Sequence, residues 1–149
     1  MEKLIINNKR DESEFYQLEI NDNGDYIEFD LTDIGLAERI MNASDELYKL
    51  IEKEHEQIKQ IEEQEKDEIE RTRKLIKLDV QIDDEKRKLF DSFLGEGTCQ
   101  KIFGNRRSEG QYFSLLEALE PHFKNMNVQI RKAKQKLAEK YLPKDEDVM

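Results

Sequence analysis

Glu52 and His55 stand three residues apart, a spacing at which a helix turns a carboxylate and an imidazole onto one face, as in the metal-holding pairs of di-iron bundles. Such centres need two of these pairs and further acids. The other histidine, His122, follows Glu120-Pro121 without the matching spacing, so a solvated charged helix is favoured over a metal site. Cys99 is the one thiol, and a nucleophile would need a base held beside it. The two histidines lie far along the chain, and a small core thiol on a short helix is the better reading. One cysteine also excludes an internal disulfide and a multi-thiolate metal site. Gly95-Glu96-Gly97-Thr98 resembles a phosphate loop only superficially. It lacks the Gly-Lys-Ser/Thr ending and follows an expected helix, which makes Gly95 a helix-terminating residue. The sequence therefore predicts no catalytic, cofactor or metal residues.

Lys124, Arg131, Lys132, Lys134, Lys136 and Lys140 are opposed by the single acid Glu139 over residues 124 to 140, and Arg106-Arg107 lies upstream. A nucleic-acid surface is conceivable there, but 25 bases against 35 acids give a net charge of −10, which opposes phosphate backbones. Complementing the acidic Glu52 to Glu70 run, within or between chains, is the preferred role for these bases. The 149 residues suit one α-rich domain over 1–142 with a flexible tail at 143–149. At 40% charged residues, with 6 Gly and no Trp, long helices with a thin core are expected. The start, MEKLIINNKR, lacks the apolar stretch of a signal peptide, and no segment reaches the roughly 18 apolar residues of a bilayer span. A cytoplasmic protein with no membrane partner is expected.

The elements follow from hydrophobic period. Glu14 to Ile20 and Asp25 to Leu31 flank Asn21-Asp22-Asn23-Gly24, predicting a β-hairpin within residues 1–31. With Asn23-Gly24 as a two-residue turn, Ile20 faces Ile27, Leu18 faces Phe29, Tyr16 faces Leu31, and Glu19 meets Glu28. Lys3 to Asn7 is a candidate third strand. Helical spacing then runs from Leu36 through Ile40, Ala43, Leu47, Ile51, Ile58, Ile61 and Ile69 to Ile76, predicting a long charged helix over 33–78, with Asn42 to Asp45 as a second capping signal. Between Glu52 and Lys74, nine acids and six bases leave only Ile58, Ile61 and Ile69 aliphatic, so this stretch needs a partner helix. Leu47, Ile58, Ile69 and Val80 are eleven apart, the period of a nearly straight packing.

Leu47, Ile58, Ile61, Ile69 and Ile76 are thus the expected partner or self-interface, facing the stripe Tyr112 to Tyr141 or a second copy. C-terminal helices are expected over 83–142. Asp83-Asp84-Glu85 opens one that carries Phe90 and Phe93 to a stop at Gly95. After Gly97, Thr98 caps a short turn bearing Ile102 and Phe103, closed by Gly104, with Phe113 joining the aromatic cluster. The last stripe keeps phase across Pro121, which predicts a kink or two abutting helices. The expected class is mainly α with a small N-terminal β-hairpin, the long helix packing coiled-coil-like against the C-terminal helices.

Tyr26 to Ile40, YIEFDLTDIGLAERI, and Phe90 to Asn105, FDSFLGEGTCQKIFGN, together resemble small proteins encoded among the tail genes of siphophages and prophages of Firmicutes, described as tail assembly chaperone-like. The GEGTCxKIFG run is the more distinctive part. The resemblance implies a non-enzymatic morphogenesis protein, without cofactor, that binds the tape measure protein or tail tube subunits in the host cytoplasm before assembly. A self-associating structural coiled-coil protein is the alternative from composition and periodicity. A nucleic-acid-binding protein using the basic last helix ranks below it.

Overall fold

The hairpin forms because two runs of β-favouring residues are joined by a turn that only their connecting residues allow. β1 (Phe15–Glu19) and β2 (Tyr26–Asp30) pair antiparallel. The computed structural model describes residues 1–6 and 9–143. Leu18 lies opposite Ile27 and Tyr16 opposite Phe29, two residues out of step with the pairing expected from a two-residue turn. The cause is Asn21, whose side-chain oxygen accepts from the amides of Asn23 (2.9 Å) and Asp25 (3.3 Å), rounding the loop over four residues. Gly24 takes φ +83°, where it alone is unstrained. A shift of two preserves the faces, so the apolar residues still meet, and Gln17 rather than Glu19 stands opposite Glu28 and donates to it at 3.0 Å. The sheet has two strands, and Lys3 to Ile6 add none; Asn7 lies outside the described residues.

Four helices follow: α1 (Leu36–Gln64), α2 (Glu68–Leu94), α3 (Thr98–Phe103) and α4 (Gln111–Tyr141). The expected helix over 33–78 is broken at residues 65–67. Asp67 takes extended backbone and its carboxylate accepts from the Glu70 amide at 2.9 Å, so a new helix starts and folds back on α1. Residues 79–82, expected as a gap, lie inside α2, and Asp83-Asp84-Glu85 opens nothing. The signal at Asn42 to Asp45 is likewise helix interior. α4 is one element through Pro121; two abutting helices do not form. Of the expected tail, residues 144–149 lie outside the described residues.

The fold is therefore mainly helical with a small N-terminal hairpin. Its core gathers Ile27, Phe29, Leu31, Leu36, Ala43, Leu47, Phe90, Phe93, Leu94, Cys99, Tyr112, Leu119 and Met126 from β2, the residue after it and all four helices, with Tyr16 and Leu18 of β1 packed against it. The hairpin docks through aromatic edges. Phe29 meets Phe123 at 6.3 Å, and the Tyr16 hydroxyl bonds His122 Nδ1 at 2.7 Å. On α1 this core reaches to Ile51, and on α2 it begins at Leu89. Beyond it the two helices run on as an antiparallel pair, sealed by the half-buried Ile58, Ile61 and Leu75 and the buried Leu78 and Ile82. Thirteen residues of α1 past Ile51 make this arm about 20 Å long at 1.5 Å per residue. Among the described residues, hydrogen bonds and ion pairs from 56–79 stay within α1, α2 and their turn. The expected partner of Ile58 and Ile61 was α4; the structure supplies α2.

Candidate functional site

Two features of the arm set its chemistry: a charged root and an outward apolar face. At the root, α2 buries Asp83 and Lys86, and Arg87 lies beside them with little exposure. Tyr112, at the start of α4, donates its hydroxyl to Asp83 Oδ1 at 3.0 Å. Arg107, from the α3–α4 connection, donates to Asp83 Oδ2 at 2.6 Å and Asp84 Oδ1 at 2.8 Å. These pairs tie α2 to the far end of the fold. Lys86 faces Glu54 of α1 at 3.9 Å, and its ammonium lies 6.0 Å from the Tyr112 ring centre. Burial pushes the Glu54 carboxyl above its ordinary value, Lys86 pulls the other way, and the bond with Asp79 raises it further. The Tyr112 hydroxyl is likewise raised, chiefly by burial. Glu54, Asp79, Asp83, Lys86, Arg107, Ser108 and Glu109 line a cavity of about 150 Å³. Four acids and two bases thus share this lining, with Lys86 on Glu54 and Arg107 on Asp83. No cluster of three or more metal-ligating side chains stands among the described residues.

The GEGTC run is held by α2. Asp91 accepts from the amides of Gly97 (3.1 Å) and Cys99 (2.9 Å), doing the capping expected of Thr98, which is instead the first helical residue of α3. Arg87 reaches the other end, donating to the carbonyls of Gly104 (2.8 Å) and Arg106 (2.9 Å) and to Gln100 Oε1 (3.1 Å). Gly95 (φ +116°) and Gly104 (φ +61°) end α2 and α3 as expected. Phe90, Phe93, Thr98, Ile102 and Phe103 are brought together here. Phe90 packs on Phe93 and Tyr112, and Phe103 on Tyr112, whereas Phe113 leaves the cluster for Tyr48 of α1. Cys99 is fully buried, its thiol pushed up to about 12 by burial and then by Asp91, and so is held protonated. Glu52 and His55 are exposed.

The expected interface divides. Leu47 is fully buried in the core and Ile58 and Ile61 line the α1–α2 seam, but Ile69 and Ile76 point away from it, 66% and 57% exposed, with Val80 at 40%. The turn at 65–67 resets the helical phase, and the eleven-residue period joining Leu47 to Val80 has no structural counterpart. Acids of the run find bases on α2, in Glu54–Lys86 (3.9 Å) and Glu65–Lys74 (2.8 Å), while Lys53 within it pairs with Glu85 of α2 (3.0 Å). No described ion pair joins it to the basic α4. Sequence reasoning missed Arg87, Asp91 and the buried Asp83 and Lys86. The i, i+4 steps Asp83-Arg87-Asp91 were the available signal.

No helix among the described residues is long and apolar enough to cross a membrane. Residues 23–147 match a family of unknown function, DUF6673, and the chain belongs to that family. Neither the curated proteins nor the solved structures give a match.

Proposed function

We propose that this DUF6673 member is a non-enzymatic protein of phage tail morphogenesis, tail assembly chaperone-like, acting in the host cytoplasm. It receives the tape measure protein or tail tube subunits on its helical arm. One observation carries the reading: Ile69, Ile76 and Val80 form an exposed apolar stripe on α2 where the arm has left the core. Apolar residues at steps of seven and four, on a helix otherwise crowded with charge, suit a groove-and-helix contact with another polypeptide. The segments that resemble tail-region proteins build the scaffold. Tyr26 to Ile40 supplies β2 and the start of α1, and Phe90 to Asn105 supplies the end of α2 with α3. The arm, outside both, is the part free to differ with the client.

The test is co-expression with tape measure and tail tube proteins encoded beside this chain, followed by capture. The parent chain is expected to retain one of them and Ile69→Lys/Ile76→Lys to lose it while keeping its helicity. No retention by the parent, or undiminished retention by the variant, refutes the assignment of the arm as client surface. Retention of DNA instead, on Lys132 and its neighbours, would favour the basic last helix.

A further inference from the structure

The α2 stripe has a counterpart on α1. Ile34, just before the helix, and Met41 and Tyr48 within it are seven residues apart and 82%, 71% and 57% exposed; Tyr48 alone leans on a neighbour, Phe113. Four residues after each stands an exposed acid, Glu38, Asp45 and Glu52. Along α2, Arg73 stands four residues after Ile69 and Lys77 borders the same flank, both exposed. One stripe is edged by acids and the other by bases, on the same side of each apolar row.

We propose that the α1 stripe of one copy docks on the α2 stripe of a second copy, antiparallel. Columns displaced in the same sense face each other only when two helices run in opposite directions, so the charges themselves set the orientation. The register follows from spacing. Met41 lies opposite Ile76 and Tyr48 opposite Ile69, which brings Asp45 within one residue of the position facing Arg73. A shift by one turn loses these apolar pairs.

The contact is heterologous. An antiparallel α1–α2 contact between copies requires their helical hairpins to run in the same direction. A twofold relating such hairpins would keep every residue at its own height. Lys53 stands level with Glu85, so the α1 stripe lies nearer the core and the α2 stripe nearer the tip. The two stripes are at different heights and cannot be reciprocated in one pair. Each copy therefore offers one donor and one acceptor surface, and the chain assembles head to tail into an open row. The inference deepens the reading of the arm as a contact surface, with client and second copy competing for the α2 stripe.

The experiment uses the purified full chain without any tail protein, so its outcome is separate from client capture. Mass in solution is measured by sedimentation over a concentration series. The parent is expected to grow past dimer as concentration rises, less so at high salt. Met41→Glu and Ile76→Glu are each expected to be monomeric with parent-like circular dichroism. Mixed one to one, they are expected to form a dimer and stop there, because each retains one half of the contact. Asp45→Arg and Arg73→Asp are each expected to weaken association by about tenfold, and the double variant to recover it. A parent that stays monomeric, variants that associate as the parent does, a mixture that fails to pair, or a double variant no better than the singles overturns the proposal.

Discussion

Replacing Arg87 with alanine removes the side chain that holds the far end of the GEGTC segment, whose start is held by Asp91. The Arg87 bond to the Gly104 carbonyl is partly buried, and those to the Arg106 carbonyl and to Gln100 are exposed. Its Nε faces Asp83 Oδ2 at 3.5 Å, an ion-pair distance without hydrogen-bond geometry. Asp83 keeps Arg107 and Tyr112, so the variant leaves no orphaned buried charge. One partly buried charge-assisted bond at about 1.5–3 kcal/mol, with about 1 kcal/mol or less from the exposed contacts, gives a loss of about 2–4 kcal/mol. A domain with roughly 5–15 kcal/mol of stability is brought close to its threshold by such a change. Urea unfolding followed by far-ultraviolet circular dichroism measures it directly. Arg87→Lys serves as the control, because its ammonium ends one bond short of the Nη2 that donates to both carbonyls, and it is expected to recover less than half of the loss. A loss under about 1 kcal/mol for Arg87→Ala, or full recovery by lysine, would show that the α3 segment holds itself without α2.

Three further outcomes are expected. Leu78→Ala, in the buried seam, should lower stability by about 2–4 kcal/mol, whereas Ile69→Lys should change it by less than about 0.5, and thermal melts giving equal losses would contradict the assigned faces. Gly95→Val should cost more than about 1 kcal/mol, because φ is +116° and a Cβ there meets Thr98 Oγ1 at 3.4 Å; an unchanged melting curve would contradict that backbone. Glu54 has a raised folded-state value, so its contribution is full below the ordinary carboxylate value of 4.5 and is lost as pH rises through the folded one. The parent should lose stability relative to Glu54→Gln over that window, and melts showing the opposite trend would mean that Lys86 outweighs burial.

The hairpin, the ends of α2 and α3 and the stripe of α4 were legible because each depends on local chemistry: an Asn-rich turn, glycines with positive φ, and a period of three and four. The hairpin's register was not, because a four-residue loop closed by the Asn21 side chain and a two-residue turn at Asn23-Gly24 share one sequence. The turn at 65–67 was illegible for a different reason. It contains neither glycine nor proline, and Asp67 is one acid among nine between Glu52 and Lys74. What selects it is the burial of Leu75, Leu78 and Ile82 against α1, a tertiary gain with no local signature. The same hidden turn split the expected interface, placing Ile58 and Ile61 inside and Ile69 and Ile76 outside. Asp83-Asp84-Glu85 misled because acids that favour a helix start also serve a buried network when Arg107 and Tyr112 arrive from elsewhere in the chain.

The seam of the arm is independent of the main core, and that has a kinetic meaning. Opening the tip from the turn back toward the root breaks only α1–α2 contacts, so its free energy is a local quantity, smaller than that of unfolding the whole molecule. Amides near Ile61 and Leu75 should exchange with solvent in that sub-global opening, while those near Phe90 wait for the global one. The root, with Asp83 bonded to Tyr112 and Arg107, is where such fraying must stop.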